Sequence, residues 1–296
     1  MILVVGGTGT LGTRIVQRLG ESGESVRILT RNPERAAALA ADGVEVFGGD
    51  VRDPADVAGA ATGATAVVAA ATGFPGSAGI SPQSVDAKGT SLLIDAAERA
   101  NVERFVLLSV VGVGPDSPIS LFRAKHEAEE RLRASSLSWT IVRPTAFMET
   151  WGTLMADMVR TKGKVMVFGH GENPINFVSA DDTAALVVRA VSDGALEGRT
   201  LSIGGPDDVT FNRFAETVQD VLGTDARTVH VPRPALRTTA VAARAFNRPF
   251  ARKAEAAYVM DTRPMGFDAS ELRGEFPELP CTDLTAALKH LHRPGS

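Results

Sequence analysis

The chain opens with a short apolar run that leads directly into a glycine-rich loop, MILVVGGTGTLG over residues 1–12. Two glycine fingerprints overlap in this loop: Gly7, Gly9 and Gly12 spell GxGxxG, whereas Gly6, Gly9 and Gly12 spell GxxGxxG. Glycines placed between a buried strand and a helix let the backbone approach a pyrophosphate, and the start of the helix offers N–H groups to the anion. The stretch therefore predicts a dinucleotide site, with a tight turn that binds no ligand as the alternative.

Short apolar runs alternate with helical stretches through the first two-thirds of the chain. The runs are apolar throughout, as in parallel strands that are covered on both faces. Alternation of strands and helices predicts an α/β fold with a doubly wound parallel sheet, the Rossmann arrangement. The predicted strands cover residues 2–5, 25–30, 44–47, 66–70, 105–109 and 139–143, and the predicted helices cover residues 11–22, 33–41, 54–61, 84–100 and 120–134.

The pattern becomes less regular after Pro144. We therefore predict two parts in a chain of this length. The first is a dinucleotide-binding domain of residues 1–145 together with about 176–202. The second is a smaller substrate or lid lobe of residues 146–175 and 203–296.

Composition excludes several classes of protein. The 296 residues carry a formal net charge of -4, so a nucleic acid is not expected as a partner. No apolar run reaches membrane-spanning length, and we expect no membrane partner. The single cysteine, Cys281, suits a reducing cytoplasm, and the chain begins without the basic region of a secretory leader. We expect a cytoplasmic monomer or homodimer that acts on a small molecule.

The end of the second strand distinguishes the two common dinucleotides. A carboxylate there would bind the ribose of NAD, but the strand ends Leu29-Thr30-Arg31-Asn32. The guanidinium of Arg31, 19 residues after Gly12, suits a 2′-phosphate, which predicts NADP(H) in preference to NAD(H). A solvated surface arginine is the alternative.

Two further strand ends offer candidate contacts. Asp50, after the third strand, could accept a hydrogen bond from the adenine amino group or could simply form a turn. Ala70, Ala71 and Thr72 follow the fourth strand and would pass beneath the ribose and nicotinamide.

Four stretches together resemble the atypical short-chain dehydrogenase/reductases of the NmrA-like and isoflavone-reductase-like type. They are GGTGTLG (6–12), TRNP (30–33), GDV (49–51) and WTIVRPTAFME (139–149). The resemblance covers residues 1–205 well and the remainder loosely. It implies the GxxGxxG register and NADPH more often than NADH. That group contains reductases of enones, quinones and phenylpropanoids, and it also contains dinucleotide sensors without turnover.

The loop positions and the resemblance together predict the contacts of the two ligands. The cofactor contacts are Gly6, Thr8, Gly9, Thr10, Leu11, Gly12, Arg31, Asn32, Asp50, Val51, Ala70, Ala71, Thr72, Lys125, Pro144, Thr145 and Phe147. An apolar substrate pocket could be lined by Phe74, Met148, Trp151, Phe168 and Phe177, although ordinary core packing explains any one of them.

The usual catalytic motif of short-chain dehydrogenases, Tyr-x-x-x-Lys, is absent. The chain has one tyrosine, Tyr258, followed four residues later by Thr262, and the matching helix reads Leu121-Phe-Arg-Ala-Lys125. At about 100° per residue, Lys125 lies on the apolar stripe of its helix. A buried ammonium group needs a partner, so Lys125 is a catalytic candidate that holds the ribose. A lysine whose ammonium reaches the rim, or one paired with Glu129, is the alternative.

A serine, a pair of neighbouring acids and an arginine-rich run are further candidates for a functional or a structural role. Ser109 ends the fifth strand, where the resemblance implies a hydroxyl for the substrate carbonyl, although it could satisfy backbone groups instead. Asp181 and Asp182 are interpreted as caps of a helix that begins at Thr183. The arginine-rich run 233–253 is typical of a helical lid, a partner surface or a solvated helix face.

These observations predict an NADPH-dependent oxidoreductase that reduces a small apolar carbonyl, enone or quinone-type substrate. Two alternatives remain open, a non-catalytic NADP(H) sensor and an isomerase or cyclase with no net redox change. We predict no metal, because among the five histidines only His290-x-His292 has a paired spacing.

Overall fold

The computed structural model describes residues 1–40, 43–76, 79–244 and 246–289. It divides into two compact units. The first unit comprises Met1–Pro144 and Thr183–Ser202, and the second comprises Thr145–Asp182 and Ile203–Ser296. The chain thus returns to the first unit at Thr183, whereas the sequence predicted a return at about residue 176.

The strands and helices follow in chain order. The strands are β1 (Ile2–Val5), β2 (Val26–Thr30), β3 (Val44–Gly48), β4 (Ala66–Ala69), β5 (Arg104–Leu108), β6 (Trp139–Pro144), β7 (Ala146–Phe147), β8 (Lys164–Phe168), β9 (Ile175–Val178), β10 (Arg199–Ile203), β11 (Asp208–Val209) and β12 (Arg227–Val231). The helices are α1 (Thr10–Glu21), α2 (Pro33–Ala36), α3 (Pro54–Ala61), α4 (Thr90–Arg99), α5 (Ser120–Arg133), α6 (Met148–Lys162), α7 (Ala180–Ser192), α8 (Phe211–Leu222), α9 (Arg233–Ala243), α10 (Arg248–Thr262), α11 (Ser270–Glu275) and α12 (Leu284–Leu288).

The first unit is built on a seven-stranded sheet in the order β10-β6-β5-β4-β1-β2-β3. The pairs from β3 through β6 are parallel, and the strand order reverses direction between β1 and β4. The fold class predicted from the sequence, a doubly wound Rossmann sheet, is therefore confirmed. All six predicted strands form. The seventh, β10, escaped prediction because its residues alternate between buried and more exposed positions instead of forming an apolar run.

Two predicted helices of the first unit differ from their expected form. The predicted helix 84–100 begins with a π-helical turn, Gln83–Gly89, before α4 continues it. The helix predicted from residue 33 ends at Ala36 and is followed by a 3₁₀ turn, Ala37–Leu39. π-Helical turns often lie at functional sites, and the turn Gln83–Gly89 is one of these.

The second unit contains a three-stranded sheet, β11-β9-β7, and a two-stranded sheet, β12-β8. Its core cluster takes side chains from helices α6, α8 and α12 and from strands β8 and β9, including Phe177, Phe211 and Phe214. In the described part of the chain, no helix has the length and apolar character needed to cross a bilayer.

Candidate functional site

The register of the main sheet brings four of the predicted loops to one edge. Val5, at the end of β1, pairs with Leu29 of β2 and with Ala69 of β4. The backbone N–H of Ala70 donates to the Val5 carbonyl at 2.9 Å, and the N–H of Gly49 donates to Thr30 at 2.9 Å. Because parallel strands end at the same edge, the segments after β1, β2, β3 and β4 lie side by side there.

The packing of the loop distinguishes the two glycine registers. Gly6 has a φ of +94°, and a Cβ on it would lie 2.7 Å from the backbone nitrogen of Ala71. A Cβ on Gly12 would lie 2.1 Å from the Gly6 carbonyl oxygen, so neither position admits a side chain. A Cβ on Gly7 would instead meet side chains, with Cγ2 of the buried Ile28 at 2.8 Å and Cγ2 of Val16 at 3.3 Å, and Gly7 does not have a positive φ. The requirement for glycine at Gly6 favours GxxGxxG.

Gly9 differs from its neighbours because the protein leaves room for a side chain there. The nearest atom to a Cβ would be the Gly6 carbonyl oxygen, at 3.4 Å, and Gly9 is exposed. Gly9 is also the N-cap residue of α1, and no side chain caps this helix. The first N–H groups of a helix lack intrahelical acceptors and attract anions. A glycine loop in front of an uncapped helix therefore fits the pyrophosphate of a dinucleotide.

Arg31 is exposed immediately after β2, and its neighbour Asn32 has a local role. The side-chain oxygen of Asn32 caps α2 by accepting a hydrogen bond from the N–H of Arg35 at 3.4 Å. The exposed guanidinium of Arg31, directly after the strand, could bind a 2′-phosphate.

Asp50 is paired with Arg52, a partner that was not predicted from the sequence. Its carboxylate binds the guanidinium of Arg52 at 2.5 Å and accepts the backbone N–H of Arg52 at 3.0 Å. The hydrogen bond from Arg52 lowers the pKa of Asp50; burial acts against this, and the charge of Arg31 adds to it. The predicted turn-forming role is therefore present, and the carboxylate remains an acceptor.

Lys125 lies on the buried face of α5, as its helical phase predicted, with 5% of its surface exposed. Its Nζ lies 3.1 Å from Oδ1 of Asp86 and 3.5 Å from the carbonyl oxygen of Ala71. The alternative pairing of Lys125 with Glu129 is wrong, because Glu129 binds two arginines instead.

Asp86 joins Lys125 to the loop after β4. This fully buried carboxylate accepts the backbone N–H of Gly73 at 2.8 Å and faces the Thr72 hydroxyl at 3.4 Å, both through Oδ2. It stands on the π-helical turn, Gln83–Gly89. Asp86 was not among the residues predicted from the sequence, although an acid between Val85 and Ala87 in a predicted helix was the available signal.

Ser109 is buried after β5 and donates its hydroxyl proton to Oε1 of Glu129. Arg143 on β6 also donates to the Glu129 carboxylate, through Nε to Oε1 and through Nη2 to Oε2. Nη2 of Arg133 lies 2.9 Å from Oε2 of the same carboxylate. Burial raises the pKa of Glu129, but hydrogen bonds from Arg143, Ser109 and Arg133 outweigh burial and leave it below its ordinary value. In this arrangement Ser109 has no second proton to donate to a substrate carbonyl, and its catalytic role stays a prediction.

The remaining predicted contacts differ in burial. Leu11, Pro144 and Thr145 are buried, Thr8, Val51, Ala70, Ala71 and Phe147 are half-buried, and Thr10 and Thr72 are exposed. The Thr145 hydroxyl donates to the side-chain oxygen of Asn176 at 3.1 Å.

The aromatic residues predicted to line a substrate pocket divide between the units. Phe74 is half-buried in the first unit. In the second unit, Met148 and Phe177 fill the core, and the ring of Trp151 packs edge-on against Phe211 at 4.8 Å and Phe168 at 6.4 Å. Core packing explains Met148 and Phe177, and the substrate role of the set stays a prediction.

Buried acids in the second unit bind several protein groups each. Asp182 accepts from Arg273 at 3.1 Å and from the Thr282 hydroxyl at 2.6 Å. Its predicted capping role is wrong, because α7 begins at Ala180 and the carboxylate points to a distant segment. Asp261 accepts from the N–H of Gly171 at 2.9 Å and from Arg233 at 2.5 Å. We refer to Asp182 and Asp261 with these partners as the carboxylate clamps.

No cluster of three or more His, Cys, Asp or Glu side chains that could hold a metal ion occurs among the residues that the structure describes. His290 and His292, the pair with a metal-like spacing, lie outside those residues.

Comparison with known proteins yields a family and several relatives. A family model described as NAD(P)H-binding matches residues 6–194. The chain is 31% identical over 231 residues to an NAD(P)H azoreductase of Xenophilus azovorans, an overlap of 78% of this chain and 77% of that protein. It is 29% identical over 237 residues to the photosystem II assembly factor Ycf39 of a Synechocystis species, covering 80% of this chain and 72% of that protein.

A solved structure shares the fold over the whole length. The NADPH-dependent quinone oxidoreductase of Escherichia coli, determined with NADPH, superimposes with a TM-score of 0.77 at 23% identity. The superposition covers 99% of this chain and 100% of that one.

Proposed function

The chain belongs to the NAD(P)H-binding family, and from that premise we propose that it is an NADPH-dependent reductase of small apolar carbonyl, enone or quinone-type substrates. The observation that carries the proposal is the buried pair of Lys125 and Asp86 beside the loop after β4. An ion pair taken out of water contributes little to stability, so core packing alone gives no reason to place an ammonium there. A ribose hydroxyl or a substrate oxygen gives that reason.

The residues at the carboxyl edge of the main sheet each have a role in this proposal. Gly6, Gly9 and Gly12 admit the pyrophosphate to the start of α1, and Arg31 binds the 2′-phosphate. When bound, the nicotinamide supplies a hydride to the substrate. Lys125 holds the nicotinamide ribose and delivers the proton that completes the reduction, while Asp86 fixes the position of its ammonium group. Much of the rate then comes from orientation of the two reactants.

The substrate class follows from the absence of the catalytic tyrosine. Reduction of a simple ketone produces an alkoxide and profits from a tyrosine proton, but Leu121 stands at that position. Hydride addition to a quinone or an enone produces a delocalised anion, which Lys125 or water can protonate. The names of the azoreductase and the quinone oxidoreductase, both reductases of conjugated systems, are consistent with this class.

A second candidate is a protein that binds NADP(H) without turnover and changes the state of a partner. Two observations favour it: the absent tyrosine and the similarity to a protein named as an assembly factor. A third reading keeps the cofactor for isomerisation or cyclisation. It predicts substrate conversion without consumption of NADPH.

The first experiment is a fluorescence titration of the purified protein with NADPH and with NADH, in parallel with Arg31→Ala. We expect the wild type to prefer NADPH and the variant to lose that preference, by a factor of about 10 or more for one charge-assisted contact. Arg35→Ala is the matched control, because Arg35 is also an exposed arginine near the end of β2. Equal binding of both nucleotides by the wild type would contradict the Arg31 assignment.

Turnover is tested separately with a panel that contains a para-quinone, an azo dye, an enone and an aldehyde. We expect NADPH oxidation with the conjugated substrates and little with the aldehyde. Lys125→Met should lower kcat at least tenfold, since a positioned proton donor contributes about 10²–10⁴ in rate. Tight NADPH binding with no oxidation across the panel would favour the sensor instead.

A further inference from the structure

Helices α9 and α10 form a hairpin whose outer end carries exposed apolar side chains. The two helices pack against each other and are joined by only four residues, 244–247, so they run antiparallel. Val241 at the end of α9 is 60% exposed, Phe246 in the connection is 82% exposed, and Phe250 in the first turn of α10 is 50% exposed. We call residues 241–244 and 246–250 the hairpin tip.

Cations surround the hairpin tip. Arg237, Arg244, Arg248 and Lys253 are all exposed, and the sequence has no acid from residue 233 to residue 254. Arg244 is paired with Glu255 at 2.8 Å. Within the described part of the chain, Arg237, Arg248 and Lys253 form no ion pair. This local excess of positive charge stands in a chain with a net charge of -4.

The spacing places the cations at two levels. Arg248 lies at the tip itself, whereas Arg237 precedes Val241 by one helical turn, about 6 Å along the axis. Lys253 follows Phe250 by three residues, about 4.5 Å along its helix. Rings at the end of a hairpin with cations about one turn behind match an interface in which apolar groups enter about 5–10 Å into the boundary between headgroups and acyl chains.

We propose that the hairpin tip binds the surface of a membrane that contains anionic lipids. The rings of Phe246 and Phe250 enter the boundary between headgroups and acyl chains, and Arg237, Arg248 and Lys253 contact lipid phosphates. This revises the expectation of no membrane partner, which rested on the lack of a spanning segment and has no bearing on surface binding. The proposal does not depend on the reductase proposal.

Charge argues against a second copy of the chain as the occupant. A two-fold interface places the same patch against itself, so the tip of one copy would face that of the other, cation against cation. An anionic surface instead complements every exposed cation of the tip. Each cation near such a surface strengthens binding by about fivefold.

The test is co-sedimentation of the full chain with vesicles of phosphatidylcholine alone and of phosphatidylcholine mixed with phosphatidylglycerol. We expect binding to the mixed vesicles and little to the neutral ones, with a loss of binding as salt is raised. The double variant Phe246→Ser with Phe250→Ser should bind at least tenfold more weakly. Replacing Arg237, Arg248 and Lys253 by glutamine should abolish the preference for anionic vesicles.

Leu154→Ser is the matched control, because Leu154 is an exposed apolar residue, 42% accessible, on another helix of the same unit. It should leave vesicle binding unchanged. Both tip variants and the control alter exposed side chains, and unchanged thermal unfolding confirms that they fold. No binding of the wild type to mixed vesicles, or equal binding of the double variant, would overturn the proposal.

Two further outcomes would replace it. A dimer in size-exclusion chromatography that Phe246→Ser with Phe250→Ser converts to monomer would assign the tip to self-association. Retention of the wild type by an immobilised acidic peptide, without vesicle binding, would assign it to a protein partner.

Discussion

The sheet edge of the first unit presents polar groups that the protein leaves exposed, whereas the second unit contains buried carboxylates that the protein binds. At the sheet edge of the first unit, Arg31 is exposed, the helix after Gly9 has no side-chain cap, and Gly9 has room around it. In the second unit, the carboxylates of Asp182 and Asp261 are buried and bound by protein groups on several sides. Groups already satisfied by the protein have little capacity for a ligand, so the open edge is where a ligand can bind.

The first unit contains both exposed polar groups and polar groups that the protein already binds. Glu129 is of the second kind, since Ser109, Arg143 and Arg133 all bind its carboxylate. The Lys125–Asp86 pair is intermediate: it is buried, but Oδ1 of Asp86 has no hydrogen bond of good geometry despite the nearby ammonium. A buried pair with an incompletely satisfied oxygen has capacity left for a further hydrogen bond, which is why the proposed function assigns it to the ligand site.

The largest expected effect is that of Gly12→Ala. The new Cβ would lie 2.1 Å from a backbone oxygen, so the loop or the start of α1 must move. We expect a loss of about 3–5 kcal/mol in the free energy of unfolding, measured by urea denaturation. A loss below about 1 kcal/mol would show that the loop deforms easily and that the difference in space around Gly12 and Gly9 has little effect on stability.

The second-largest loss of stability is expected when the carboxylate clamp at Asp261 is removed. Asp261→Ala leaves the N–H of Gly171 and Nε of Arg233 without their carboxylate acceptor, and we expect a loss of about 3 kcal/mol in the free energy of unfolding. Glu255→Ala is the control, because it breaks the exposed pair with Arg244 and should cost less than about 1 kcal/mol. Equal losses in urea denaturation would show that the clamp has no special role.

Glu129 predicts a pH dependence. Its pKa is lower in the folded protein than the ordinary value, so its contribution to stability is complete above about pH 4.3 and is lost as the pH falls through the lowered value. Glu129→Gln should lose about 2 kcal/mol at neutral pH, and its difference from the wild type should shrink in acid. Urea denaturation at neutral and acidic pH measures both.

Glu130→Gln is the control for Glu129, since its carboxylate is exposed and shares Arg133. It should lower stability by less than about 1 kcal/mol at either pH. A constant difference between Glu129→Gln and the wild type across pH would contradict the assigned cause.

The smallest effect on stability is expected for Gly9→Ala. The protein leaves space for the methyl group, so the free energy of unfolding should change by less than about 1 kcal/mol. Binding of NADPH, followed by fluorescence, should weaken at least tenfold because the methyl group occupies the approach of the pyrophosphate. Unchanged binding would remove Gly9 from the cofactor site while leaving Gly12 in its structural role.

The sequence predicted best what depends on the backbone. The strand, glycine loop and helix at residues 2–21 form as predicted, because apolar runs and glycine spacing act through local geometry. Lys125 was placed on the correct face by helical phase alone. Asp86 was missed because its partners are distant in the chain: Lys125 lies on α5, and the pairing becomes visible only after the sheet has assembled.

Aromatic residue types were the least informative signal. Phe177 and Met148 were candidates for a substrate pocket, yet a core and a pocket require the same side chains. Asp182 was interpreted as a helix cap because its partners, Arg273 and Thr282, lie about a hundred residues away. Long-range partners of single acids leave no local pattern to detect.

The position of β10 in the sheet has a consequence for synthesis of the chain. β10 is an outer strand, and β6 is its neighbour, but the 54 residues between Pro144 and Arg199 take about 3–11 s to leave a ribosome that adds roughly 5–20 residues per second. During that interval the growing sheet ends at β6, whose outer backbone groups have no partner in the nascent polypeptide. A strand left open in this way can pair with another chain. Slow translation after Pro144 would lengthen the exposure, and rapid translation there would protect the nascent protein from misassembly.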